Sequence, residues 1–234
     1  MSDEMPLIPN SKLLTHSYMK ACLFDLDGVI VDTAKYHYLA WKRLAHELGF
    51  DFTEHDNERL KGVSRMTSLE ILLGIGGKTL CEKSKEACAA RKNEWYVEYI
   101  MQMTPDEILP GVIGFLEYLK QNNIKIALGS ASKNARTILE KISMMQYFDA
   151  IIDGNKVTKA KPNPEIFLKG AAELGIPPAE CVVFEDAGAG IQAALNAGMK
   201  VVGIGLPENL GHAHLVVPGF DEVSVEKIKK MIKE

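Results

Sequence analysis

The chain has 234 residues, 47% hydrophobic and 25% charged, which suits one large globular domain or a core with an insertion, able to bury its core without disulfide or metal staples. Its net charge is −4 with no block of like charges, which argues against nucleic acid and anionic membrane as the main partner; the charges that bind an anionic substrate must be local. No apolar run is long enough to span a bilayer, and Cys22, Cys81, Cys88 and Cys181 lack CxxC spacing, so reduced thiols in a cytoplasmic protein are expected.

Residues 1–19 hold Asp3, Glu4, Pro6 and Pro9 and no apolar stretch. They read as a flexible N-terminal extension, not a secretory signal, with Met19 as a candidate start. The first strand is predicted at Lys20-Ala21-Cys22-Leu23-Phe24, which runs straight into Asp25. Helical periodicity then dominates residues 34–104. The stripe His37, Trp41, Leu44 and Leu48 opens it and Gly49 ends it. A second helix is predicted over residues 54–60. A third starts near Arg65, carries Leu69, Leu72 and Leu73, and breaks at Gly74, Gly76 and Gly77. A fourth runs from about Ser84 to Met103, with Lys92 on the stripe of Cys88, Trp95 and Tyr99.

Beyond Pro105 and Pro110, short apolar runs alternate with helical stripes. The runs are Lys125–Leu128, Ala150–Ile152, Cys181–Phe184, Lys200–Ile204 and, more weakly, Leu215–Val217. The stripes are Ile113, Leu116 and Leu119; Ile138, Leu139 and Ile142; Ile166, Phe167, Gly170 and Ala171; and Val225, Ile228, Met231 and Ile232. This alternation is the signature of a doubly wound, Rossmann-like α/β core with a parallel sheet. The expected organisation is a core of residues 20–33 and 105–234, with a small helical cap, residues 34–104, inserted after the first strand.

In such sheets ligands bind beyond the carboxyl ends of the strands. Asp25 and Asp27 lie there, followed by Gly28, which permits a sharp turn. Asp is common in turns, so a lone Asp-Gly would mean little. The strand Cys181–Phe184, however, also runs into acids, Glu185-Asp186. Carboxylates brought together repel unless a cation or proton intervenes, and Mg²⁺ meets that need. Gly188-Ala189-Gly190-Ile191-Gln192-Ala193 fits a loose dinucleotide fingerprint, but the acids before it would face a pyrophosphate; small residues there let a helix pack close to the sheet. Gly129-Ser130-Ala131-Ser132-Lys133-Asn134 joins a strand end to a helix start and suits an anion. Lys159 and Lys161 precede a proline-started helix, where one lysine could neutralise a phosphoryl oxygen or a carboxylate.

Taken in order, Asp-x-Asp-Gly, Ser130, Lys161 and Glu185-Asp186 resemble the haloacid dehalogenase-like superfamily, in its metal-dependent phosphotransferase branch. Phe24-Asp25-Leu26-Asp27-Gly28-Val29-Ile30, Asp32-Thr33-Ala34-Lys35-Tyr36-His37, Leu60-Lys61-Gly62-Val63-Ser64-Arg65, Arg91-Lys92-Asn93 and Ser130–Asn134 are similar to the β-phosphoglucomutase family. Ala187 departs from that pattern, where serine is frequent. The resemblance implies interconversion of β-D-glucose 1-phosphate and glucose 6-phosphate, with a hexose 1,6-bisphosphate as primer and intermediate. It implies Asp25 as nucleophile forming an aspartyl-phosphate, Asp27 as general acid and base, and Mg²⁺ held by Asp25, Asp27 through its backbone carbonyl, Glu185 and Asp186. It implies Lys161 and Ser130, with Ala131, Ser132 and Lys133, on phosphoryl oxygens, and Lys61, Gly62 and Arg65 around the non-transferring phosphate. His37 and Lys92 would tie the acid/base to cap closure, with hinges at Asp32-Thr33 and Thr104-Pro105. The partner expected is a small sugar phosphate bound by a monomer. A sugar-phosphate phosphatase is the alternative, and a non-catalytic sugar-phosphate sensor is disfavoured by the full acidic set.

Overall fold

A parallel sheet of six strands forms the centre of the computed structural model, which describes residues 19–60 and 63–233. The strands are β1 (Ala21–Phe24), β2 (Lys125–Gly129), β3 (Ala150–Ile152), β4 (Cys181–Glu185), β5 (Lys200–Ile204) and β6 (Leu215–Val217), in the spatial order β3-β2-β1-β4-β5-β6. Each predicted apolar run is a strand, the weak sixth included. The order reverses direction at β1, so a crevice opens at the carboxyl ends of β1 and β4. Phe24 pairs with both Leu128 and Phe184, which brings Asp25 level with the ends of β2 and β4.

Side chains alternate between the two faces of a strand. Ala21 and Leu23 join one buried layer with Phe167, Ile191 and Val183, beneath α7 (Glu165–Leu174), α8 (Gly188–Asn196) and the short α9 (Pro207–Leu210). Cys22 and Phe24 join the other layer, against α5 (Val112–Gln121), α6 (Ala135–Lys141) and α10 (Glu222–Lys233). There Phe24 stacks on Phe184 with centroids 4.5 Å apart, and Phe115 meets both rings edge-on. The sequence predicts Ile113 on the α5 stripe, but Ile113 is 40% exposed. Because the helix starts at Val112, its inner face carries Val112, Phe115, Leu116 and Leu119 instead, at the i, i+3, i+4, i+7 spacing.

Between β1 and β2 lie α1 (Ala34–Glu47), α2 (Glu54–Glu58), α3 (Arg65–Ile75) and α4 (Glu82–Ile100). Their ends differ from the sequence reading. Thr53 closes a capping box with Asp56 at the start of α2. Helix α3 runs through Gly74, which meets open space, and stops at Gly76. Helix α4 starts two residues before Ser84 and stops before Met103, and it buries Tyr96 as well as Trp95, with Tyr99 half-buried against the core. α1 and α3 pack against α4. The chain segments that enter and leave this helical block run side by side: Leu109 N donates to Ile30 O (2.9 Å), and Val31 bridges Ile108 antiparallel. Glu107 ties them further through Lys35 (2.7 Å) and the Tyr36 hydroxyl (2.7 Å).

Met19, expected to belong to the flexible extension, is buried and its amide donates to Ile232 O (3.1 Å), which fastens the start of the sheet to α10; residues 1–18 lie outside the described residues. No helix among the described residues is long and apolar enough to cross a membrane.

The stack on Phe184 makes Phe24 a sensitive probe of the core. Phe24→Ala removes a fully buried ring and should cost about 3–5 kcal/mol in urea unfolding; a loss below about 1 kcal/mol would mean that this layer collapses into the space.

Candidate active site

Asp25 follows directly on β1, and its amide donates to Phe184 O (3.0 Å), so sheet pairing continues one residue past the strand. Glu185 ends β4 next to it, with Asp186 one residue on. Asp25, Glu185 and Asp186 each offer a carboxylate oxygen, and these atoms all lie within 4.8 Å of one another. Lys161 arrives from the loop between β3 and α7. Its Nζ lies 2.7 Å from Asp25 Oδ1 and also binds Glu185 Oε1, while its amine sits 5.0 Å from the centroid of the Phe167 ring. Burial works against the Lys161 charge, but Asp25 and Glu185 outweigh it and hold the amine above its ordinary range.

Two glycines make this crowding possible. Gly28 turns with φ +76°, a conformation that favours glycine, and a Cβ there would collide with the Asp186 carboxylate. A Cβ at Gly190 would collide with the Glu185 carboxylate, so the absence of a side chain lets α8 close down on the end of β4. This is the packing role expected of the glycines that mimic a dinucleotide fingerprint.

The trio is short of positive charge. Burial first, then the Asp25, Glu185 and Asp27 carboxylates, push Asp186 up to about 8. Burial also pushes Glu185 up while Lys161 pulls it down. A compact set of hard oxygen donors with surplus negative charge and, among the described residues, one paired ammonium fits a hard divalent cation. The Asp27 carboxylate lies outside this trio. It accepts a hydrogen bond from the Thr33 hydroxyl. Burial, then the Asp25 charge, push Asp27 up to about 7 against the Thr33 hydrogen bond and the Lys161 charge.

Above the sheet, α1 and α4 bring His37 and Lys92 together, with Lys92 Nζ 2.8 Å from His37 Nδ1. Lys92 is 2% exposed, and its ammonium stands 4.5 Å from the Trp41 ring centroid and 4.8 Å from that of Tyr96. Burial and the Arg65 charge push it down to about 7, with Asp27 opposing. Burial, Lys92 and Arg65 hold His37 well below the ordinary imidazole value. A charged Lys92 can only donate in this contact, so beside it a neutral His37 would accept at Nδ1 and carry its proton on Nε2.

Arg65 starts α3, and its Nη2 donates to Asn93 Oδ1 (2.7 Å). Asn134 Nδ2 donates to the same oxygen (3.1 Å), so Asn93 joins the helical block to the loop after β2. In that loop Ser130 is buried and its hydroxyl accepts from Ser132 N (3.2 Å); Ser132 is half-buried, and Ala131 and Lys133 are exposed. Lys61 and Gly62 lie outside the described residues. Sequence reasoning assigns no binding or catalytic role to Thr33, Asn93, Tyr96 or Asn134. The spacing Lys92 to Tyr96, one helical turn, is the one signal that could have pointed to Tyr96.

Residues 19–198 match the family of haloacid dehalogenase-like hydrolases. The chain is 45% identical to the beta-phosphoglucomutase of Bacillus subtilis over 210 residues, 89% of this chain and 93% of that protein. It is 32% identical to the phosphorylated carbohydrates phosphatase of Thermotoga maritima, covering 92% and 99% of the two chains. The crystal structure of a beta-phosphoglucomutase from Clostridium difficile superposes with a TM-score of 0.86 at 46% identity, covering 92% of this chain and 97% of that one.

The raised Asp186 carboxyl yields a prediction with a definite sign. Its folded value, about 8, lies above the ordinary 3.8, so the cost of ionising it in the fold is absent below about pH 4 and grows until about pH 8. In chelator, Asp186→Asn should melt several degrees above the unsubstituted protein at pH 8, with the advantage shrinking towards pH 4; added Mg²⁺ should raise the melting temperature of the parent and not of the variant. A pH-independent difference would contradict this account of the site.

Proposed function

Since the chain belongs to the haloacid dehalogenase-like hydrolase family, we propose that it is a phosphomutase that interconverts β-D-glucose 1-phosphate and glucose 6-phosphate through an aspartyl-phosphate and a hexose 1,6-bisphosphate. The observation that carries this reading is the 45% identity to a beta-phosphoglucomutase along nearly the whole of both chains. The acidic crevice on the sheet and the polar cluster above it support it.

An Asp25 carboxylate oxygen forms the new bond to phosphorus as the bond from phosphorus to the donor oxygen breaks. Mg²⁺, held by Asp25, Asp186 and the Asp27 carbonyl with Glu185 in support, would supply the positive charge that offsets repulsion between carboxylate and phosphate. Lys161, paired with Asp25 at 2.7 Å, orients the nucleophile and adds a donor for an equatorial phosphoryl oxygen. Ser130 stands at the end of β2, one strand from Asp25, and offers its hydroxyl to the same group. Asp27, poised near pH 7, gives its proton to the departing sugar oxygen and takes one from the attacking hydroxyl in the second half of the cycle. Arg65 and Asn134, whose donors already converge on one amide oxygen, bind the phosphate that is not transferred, together with Ser132, Lys133 and the segment of Lys61 and Gly62.

The helical block decides whether sugar or water accepts the phosphoryl group. Lys92 and His37 pair with each other in the helical block, and the crossings Asp32-Thr33 and Thr104-Pro105, beside the paired connections around Ile30 and Leu109, are the hinge about which the block closes. A sugar-phosphate phosphatase is the second reading, favoured by the 32% identity to the phosphatase of Thermotoga maritima.

With β-glucose 1-phosphate, Mg²⁺ and a glucose 1,6-bisphosphate primer, glucose 6-phosphate should form much faster than free phosphate, and Asp25→Asn should abolish turnover. Phosphate release that dominates at every primer concentration would favour the phosphatase. His37→Ala should slow phosphoryl transfer to sugar by about 10²-fold, within the range of a mispositioned acid/base, and leave phosphoenzyme formation within about threefold; rapid-quench measurement of both steps checks this, and equal losses would remove His37 from the gating role.

A further inference from the structure

The loop after β2, which carries Ser130, Ser132, Lys133 and Asn134, rests on the loop after β3. Ser130 N donates to Ile152 O (3.0 Å), Gly154 N to Ser132 O (3.1 Å) and Asn155 Nδ2 to Lys133 O (3.0 Å). The bracing loop is itself fixed. Ile152 pairs with Gly129 in the sheet, and Asp153 after it is buried. The Asp153 carboxylate accepts from Asn155 N (2.9 Å), and its main-chain carbonyl accepts from Lys156 N (3.0 Å). A Cβ at Gly154 would collide with the Ala131 carbonyl, so the two loops meet backbone to backbone.

The consequence falls on Asn134. A peptide unit is planar, so holding its carbonyl also fixes the amide at its other end. The Lys133 carbonyl and the Asn134 N–H belong to one such unit. Asn155 donates to the carbonyl, and the Ser132 hydroxyl accepts from the N–H (3.2 Å), so the plane is held on both edges. With it is set the direction in which the Asn134 side chain leaves the backbone. That side chain donates to Asn93 Oδ1, the oxygen that Arg65 also reaches. Asn155 is itself exposed, so its amide is not there to fill the core. We propose that Asn155 is a positioning residue for the phosphate that is not transferred: its grip on the Lys133 carbonyl holds Asn134 at the angle from which it binds that phosphate together with Arg65.

This inference rests on the mutase reading, in which β-glucose 1-phosphate meets an already phosphorylated Asp25 and its own phosphate takes the non-transferred position. Acetyl phosphate brings only the group that is transferred, so the two substrates separate the two positions. Asn155→Ala should raise KM for β-glucose 1-phosphate about fivefold, with kcat and the rate of Asp25 phosphorylation by acetyl phosphate within about twofold. Its melting temperature should stay within about 2 °C of the parent's, as for an ordinary surface substitution. Asn134→Ala should raise the same KM, and in that background Asn155→Ala should add less than about 1.5-fold, since it acts through Asn134. An unsubstituted protein that does not isomerise β-glucose 1-phosphate, or an Asn134→Ala KM equal to the parent's, would defeat the underlying reading and this inference with it. If Asn134→Ala raises KM, then an Asn155→Ala KM within about 1.5-fold of the parent's, an equal loss with acetyl phosphate, or effects that multiply in the double variant would each overturn the role of Asn155 alone.

Discussion

Asp25, Glu185 and Asp186 crowd around Lys161 at the mouth of the sheet, with Asp27 close enough to add its charge, and this imbalance organises the groups around it. Sheet register sets it up. Because Phe24 and Phe184 are paired and stacked, the residues that follow them emerge side by side with no freedom to diverge. Gly28 and Gly190 then remove the side chains that would hold the carboxylates apart. Lys161, paired with the two innermost acids, relieves only part of the repulsion. The remainder is a charge deficit that a divalent cation would meet, and without one protons are held more tightly than usual.

The helical block presents the opposite case. Lys92 and Arg65 crowd positive charge, and burial pushes Lys92 down to about 7 and His37 well below its ordinary value. The acidic cluster acts on the basic one: Asp27 raises the pKa of Lys92 in opposition to burial. Closure of a basic helical surface over an acidic crevice is thus favoured electrostatically, while an anionic substrate between them screens both. On the proposed reading, the same opposition brings the acid/base under the control of the block that excludes water.

Much of this was legible in the sequence because it depends on short-range pattern. Six apolar runs gave six strands, and acids at the ends of two of them marked the crevice. The stripe of His37 and Trp41 and the inward position of Lys92 followed from helical spacing alone. What failed depended on helix phase or on distant partners. Keeping Ile113 off the inner face required knowing that α5 starts at Val112. Tyr99 is half-buried against the core, as its place on the stripe implies, but the full burial of Tyr96 off that stripe depends on packing against α1. The roles of Asn93 and Asn134 arise from contacts across more than one element, between amides that look like ordinary surface residues in sequence.

The pairing of Ile30 with Leu109 and of Val31 with Ile108 has a further consequence. The helical block leaves the sheet and returns to it through neighbouring backbones, so from the sheet's side the whole excursion has the end-to-end span of a tight hairpin. Exchanging such a block for one of another length changes loop-closure entropy only slowly and leaves the register of β1 with β2 untouched. The architecture is accordingly modular: the sheet can keep one phosphoryl-transfer apparatus while evolution substitutes different lids above it, each choosing its own acceptor.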